Sequence, residues 1–248
     1  MRGLTKYAQT VLTELNQLRW TSMFLNGDAL RAHGRLDAEH QSKNAQYIGF
    51  ASRILGIQQL TQSVDLYNWY CREVLKLAVI SNPGEVIATL EAVKGPIKDN
   101  IARAKKVGRT PGAEIIERFC KPSGVSENAV RKAVHEHLGI FENPETKVLC
   151  VCRNSLVHNM GKDVGKRIAE SLRKIGGERA PIYPTNWPAG HLPIRLTDEG
   201  DLVIDFEIGS WATDLISNQI HLMDQNFSAL HNLPTERWRS RPISHSVT

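Results

Sequence analysis

The sequence predicts a mainly α fold with one small β-hairpin set before the last helix. Three observations carry this. Apolar residues recur at i, i+3, i+4 and i+7 along most of the chain, the period of a half-buried helix. Asn82-Pro83 and Asn143-Pro144 each place a capping amide before a proline, whose missing N–H costs nothing in a first helical turn. Ile194–Phe206 alternates instead, with Leu202, Ile204 and Phe206 following a turn at Asp198–Gly200.

In order, residues 4–25 read as an amphipathic helix built on Leu4, Tyr7, Ala8, Val11, Leu12, Leu15, Leu18 and Phe24, with Gly27 ending it. Residues 28–44 are polar and read as solvated loop and helix. Asp28, Asp37, Glu39 and His40 fall there without a spacing that fixes metal geometry. Two helices are expected next, over 45–60 and 62–80, the second strongly apolar. Glu85 can reach back to cap a helix running to Lys94. Pro96 opens another through Ile97 and Ile101 to Gly108, and a short one covers 112–120. Ser126 caps a helix reaching Leu138. Residues 162–180 read as basic helix and 181–193 as proline-rich loop. Ser210 caps the final helix, whose buried side is traced by Trp211, Leu215, Ile216, Ile220, Met223, Phe227 and Leu230.

The 248 residues are enough for one sizeable core. We read one domain over 1–248. Its parts are a helix and polar loop at 1–41, a loop-and-hairpin insertion at 181–208 and a flexible tail at 234–248. A net charge of +5 and a pI near 9.1 favour an acidic partner such as nucleic acid. Cys71, Cys120, Cys150 and Cys152 lie inside apolar helical patterns as small hydrophobes rather than a disulfide framework, which fits the cytoplasm. No apolar run reaches the ~18–20 residues of a membrane span, and no signal peptide is read at Met1-Arg2-Gly3. Phosphate-cradling glycine loops, nucleophile elbows and paired-Cys zinc spacings are absent from the sequence.

Chemistry concentrates in Cys150-Val-Cys-Arg-Asn-Ser-Leu-Val-His-Asn-Met-Gly161. Val148, Leu149, Cys152 and Leu156 form an apolar stripe. Arg153, Asn154 and His158 lie off it, and Asn159, Met160 and Gly161 end the helix. Asn154 and His158 are i and i+4 and share a face, with Arg153 one step round. Imidazole both takes and gives a proton near neutral pH. Guanidinium is the side chain best shaped for phosphate oxygens. A second Arg-x4-His, Arg35 to His40, follows Gly34, has no apolar helix beneath it and lacks the Asn.

Arg153-Asn154-x-x-x-His158 on an apolar helix resembles the signature of the HEPN superfamily, small α-helical domains many of which are metal-independent ribonucleases of toxin and phage-defence systems. The resemblance implies a HEPN-like up-and-down helical bundle, with the helices at 84–120 and the hairpin as insertions. It implies endoribonuclease action on single-stranded RNA through 2′-OH attack, with Arg153, Asn154 and His158 catalytic and no cofactor or metal. One motif holds one base and one cation. A homodimer with the site at its interface would supply both a base and an acid. An antitoxin or defence-complex partner is a further implication. A polar residue on the preceding helix often accompanies the motif, and Glu73 is the candidate here.

RNA-backbone contacts are expected from Lys162, Lys166 and Arg167, just after the motif, and from Lys98, Lys105 and Lys106 in the most basic stretch. Two other function classes stay open. One is a catalytically silent HEPN-fold scaffold subunit. The other is helix-turn-helix binding of nucleic acid through Ser126–Leu138.

Overall fold

In the computed structural model, residues 4–92, 95–121, 127–140, 142–161, 194–197 and 200–235 are described. The fold is mainly α, as predicted. Its elements are α1 (Lys6–Gly34), α2 (Ala38–Ser81), α3 (Pro83–Ala92), α4 (Pro96–Lys106), α5 (Pro111–Phe119), α6 (Glu127–Leu138), α7 (Pro144–Asn159), β1 (Arg195–Leu196), β2 (Leu202–Val203) and α8 (Phe206–Leu230). The strands pair antiparallel, Arg195 opposite Val203 and Leu196 opposite Leu202, so the hairpin stands directly before the last helix. Residues 162–193 and 236–248, with the predicted basic helix, the proline-rich loop and the tail, lie outside the described residues, as do Asp198 and Glu199 of the turn.

Three boundaries differ from expectation. α1 does not stop at Gly27 but runs to Gly34. One glycine in a helix interior costs only about 1 kcal/mol, and the residues after it are good helix formers. The polar stretch 28–44 is therefore mostly helix, with its loop confined to Arg35-Leu36-Asp37. Asp37 Oδ1 accepts the His40 N–H at 2.9 Å and caps α2. α2 is one helix of 44 residues where two were expected. Thr61, at the expected break, bonds its hydroxyl back to the Ile57 carbonyl and stays helical. The last helix begins at Phe206 rather than Ser210, because Asp205 Oδ1 accepts the Ile208 N–H at 3.1 Å.

The chain divides into two compact units. The first comprises Met1–Glu14, Asn68–Phe141 and Ile220–Thr248. Here α3 packs on α4, α5 and α6, and α4 on α5 and α6. Its core includes Leu12, Tyr70, Leu75, Leu90, Ile101, Ile115, Phe119, Val134 and Phe227. Buried Asp224 accepts from the Thr5 N–H at 2.7 Å, the Thr5 hydroxyl at 2.5 Å and the Tyr70 hydroxyl at 2.9 Å, tying α1, α2 and α8 together. Burial, then the Asp224 charge, pushes the Tyr70 phenol well above its ordinary value. Buried Glu114 is clamped between Arg109 and Arg118.

The second unit comprises Leu15–Tyr67 and Glu142–Gln219. Its core draws on Leu55, Leu60, Val64 and Tyr67 of α2, Val148, Leu149 and Cys152 of α7, and Ile208, Ala212 and Ile216 of α8. α2 and α8 approach backbone to backbone where Gly56 meets Gly209. A Cβ on Gly209 would stand 2.7 Å from Gly56 Cα. Arg19–Asp214 at 2.6 Å and Ser63–Thr213 at 3.0 Å add polar ties. Of the predicted stripe on α8, Ile216, Ile220, Met223 and Phe227 are buried, Trp211 and Leu215 half-buried, and Leu230 exposed.

Candidate functional site

The motif helix α7 forms as its sequence directs. The Asn143 side chain accepts the Glu145 N–H at 2.9 Å, Pro144 takes the first turn, and Met160 closes the helix in the left-handed region at φ 52°. Gly161 follows at φ 80°, where glycine is favoured, and its N–H reaches the Ser155 carbonyl at 3.1 Å. Val148, Leu149 and Cys152 are buried as the stripe requires, with Leu156 half-buried. Burial pushes the Cys152 thiol far up, so it stays a neutral packing group. Cys120 is pushed up to about 12, by burial first and then by Glu73.

Two contacts fix α7 in its unit. The Asn143 N–H donates to Gln219 Oε1 at 3.2 Å, and the Tyr67 hydroxyl donates to Glu142 at 3.3 Å. At the far end the Gly161 carbonyl accepts the Leu202 N–H at 2.9 Å, so the hairpin seats against the end of the motif helix.

Arg153 is the most constrained of the three motif residues. Its side chain is 18% exposed, and Nη2 meets Asp65 Oδ1 of α2 at 2.6 Å. Nη1 donates to Asn154 Oδ1 at 3.1 Å, and Nε is buried with no hydrogen-bond partner. Asp65 is half exposed, so the pair is a rim contact rather than a buried ion pair. Asn154 and His158 are exposed. The expected convergence is thus partly realised. Arg153, Asn154 and Asp65 form one hydrogen-bonded set, and His158 stands on the solvent side one turn beyond Asn154.

Asp65 is the site residue that sequence reasoning missed. Glu73, the candidate on the preceding helix, belongs to the first unit and pairs with Lys76 at 3.8 Å. The available signal was a carboxylate set among the apolar residues of α2. Lys98, Lys105 and Lys106 are exposed on α4 of the first unit, with Lys105 held by Glu91 at 2.6 Å. Lys162, Lys166 and Arg167 lie outside the described residues. The second Arg-x4-His straddles the break before α2, where His40 Nδ1 bonds Asp37 at 2.8 Å.

Among the described residues, no group of three or more His, Cys, Asp or Glu side chains is placed to hold a metal ion. No helix among them is long and apolar enough to cross a membrane. Comparison with protein-family models, curated proteins and solved structures finds no match to this chain.

Proposed function

We propose that the protein is a HEPN-type endoribonuclease that cleaves single-stranded RNA by attack of a ribose 2′-OH on the adjacent phosphate. The observation that carries this is the guanidinium of Arg153, held by Asp65 and Asn154 on the helix that also presents an exposed His158. A fixed cation at the rim is suited to a phosphate and to the charge that builds on it in the transition state. His158 moves the proton as base or acid. The nucleophile belongs to the substrate, so the chemistry needs no metal ion. Because one motif supplies one imidazole, the complete site takes the second from a symmetric copy. The exposed lysines of α4 suit phosphate-backbone contact in affinity rather than chemistry. A toxin or phage-defence setting, with an antitoxin or defence-complex partner, follows from the family resemblance.

A second reading has one observation in its favour. The ion pair to Asp65 already satisfies part of the Arg153 guanidinium, as it would in a scaffold subunit that keeps the helix and lacks cleavage. Groove reading by α6 finds less support. That helix buries Val130, Arg131, Ala133, Val134, His135, His137 and Leu138, more than half its length.

Purified protein incubated with total RNA in chelator separates the readings. Cleavage is expected, with products carrying a 2′,3′-cyclic phosphate and a 5′-OH, and DNA should stay intact. His158→Ala should abolish cutting, and Arg153→Ala should cost ~10²–10³-fold. His40→Ala should leave the rate unchanged. A His158→Ala variant that cuts as fast as the parent overturns the catalytic reading.

A further inference from the structure

The last turn of α7 presents two large apolar side chains to solvent beside the motif. Val157 is 52% exposed and Met160 75%, the highest value among the large apolar side chains of the described residues. Val157 is i+4 from Arg153 and i+3 from Asn154, so it neighbours both on the helix surface. In helical projection it falls ~40° from Arg153 and ~100° from His158, between the guanidinium column and the imidazole. Met160 closes the helix in the left-handed region, at φ 52° and ψ 31°. That conformation suits glycine and asparagine and is uncommon for a long side chain. Asn159 and Gly161 stand on either side of it. Met160 is thus costly twice, in its backbone and in its hydration, and its exposure leaves little packing to offset either.

We propose that Val157 and Met160 form a seat for one unstacked nucleobase of the strand whose phosphate Arg153 holds. The seat rests on the reading of Arg153 as the phosphate-binding cation, and it narrows the substrate to a nucleotide whose base has left its stack. Attack of a 2′-OH on the neighbouring phosphate needs the attacking and departing oxygens in line, an arrangement that stacked helical RNA does not offer. The nucleotides at the cut must therefore unstack, and an unstacked base exposes an apolar face. Val157 lies just over one helical turn beyond Arg153, ~6 Å along the axis, about the reach from a phosphate to the base of its own nucleotide. A thioether and a branched aliphatic side chain make dispersion contact with any aromatic face and read no hydrogen-bonding edge. The seat accepts all four bases and rejects a paired strand.

Binding of a strand that cannot be cut tests the seat apart from catalysis. A short 2′-O-methyl oligouridylate and its abasic counterpart are titrated by fluorescence anisotropy into three proteins: the parent chain, Val157→Asn with Met160→Asn, and Met160→Leu. Both positions are exposed and asparagine tolerates the left-handed region, so the double variant should keep the parent's circular dichroism spectrum and thermal midpoint. It should bind the oligouridylate about 5-fold more weakly than the parent, the scale of one sulfur–aromatic contact. It should bind the abasic strand as tightly as the parent does, because the contact that it lacks needs a base. Met160→Leu, which keeps an apolar side chain, should match the parent on both strands. Equal losses on the two strands, a double variant with the parent's affinity for the oligouridylate, or a parent that binds neither strand would each overturn the seat. Cleavage of total RNA is read separately. A parent that shows the base-dependent loss and does not cut keeps the seat and removes the ribonuclease reading. A parent that cuts without that loss keeps the reading and removes the seat.

Discussion

At the scale of single residues, the site turns on how Arg153 is held. Its Nη2 bond to Asp65 and its Nη1 bond to Asn154 hold the guanidinium, and Asp65 itself is half exposed. On the proposed ribonuclease reading, Asp65 is a positioning residue that acts through Arg153. Asp65→Ala should lower kcat about 10-fold, within the range seen for outer groups that orient a working one, and leave KM nearly unchanged. Asp65→Asn keeps an oxygen acceptor and should recover part of that loss. Equal losses from Asn and Ala would mean that the charge, not the orientation, is what matters. The sequence displayed Arg153, Asn154 and His158 because all three ride on one short helix with fixed periodicity. It hid Asp65 because that contact joins residues from distant parts of the chain, and no local spacing records it.

At the scale of elements, glycines show where propensity yields to packing. Gly56 lies inside α2, where alanine would ordinarily gain about 1 kcal/mol of helix stability. A Cβ there would stand 1.9 Å from the Asp205 carbonyl oxygen, an overlap that only backbone movement relieves. The clash outweighs the gain, so Gly56→Ala should destabilise the protein by about 2 kcal/mol or more. Gly49 sits in the same helix with nothing within 4 Å of its would-be Cβ. Gly49→Ala should stabilise by about 0.5–1 kcal/mol. Denaturant midpoints of the two variants moving in the same direction would contradict this assignment. The same competition explains the misplaced ends of α1 and α2. Gly27 is a weak stop, whereas Asp37 supplies a hydrogen-bonded start, and only the second can end one helix and begin another.

At the scale of the whole molecule, stability carries a pH dependence set in the first unit. His137 Nε2 and His231 Nε2 stand 2.9 Å apart, with the Phe227 ring packed at a tilt of 53° against the His231 ring. Burial, then the neighbouring His231, holds His137 below its ordinary value, and burial does the same to His231; Glu85 opposes both shifts. The folded state thus binds fewer protons than the unfolded one once the pH falls below about 6.5. The stabilisation from a neutral pair is complete above that value and is lost as pH drops through the lowered folded values. The thermal midpoint should fall between about pH 7 and 5.5, and His231→Gln, which keeps a neutral hydrogen-bonding partner, should flatten the fall. A midpoint that is level across this window would show that the pair does not govern it.

The sequence by itself determined the helical class, the hairpin before the last helix, and the full capping of α7 from Asn143 to Gly161. Each is written in contacts within a few residues: a side chain on a nearby N–H, a proline in a first turn, an apolar period. Tertiary structure alone decided which carboxylate meets Arg153, which glycines mark the crossing of α2 and α8, and which apolar stripes stay exposed among the described residues. Those outcomes depend on long-range burial. Tyr47 and Phe50 have the same helical periodicity as Val64 and Tyr67 of the same helix. Only the arrangement of the other elements leaves the first pair in water and closes over the second.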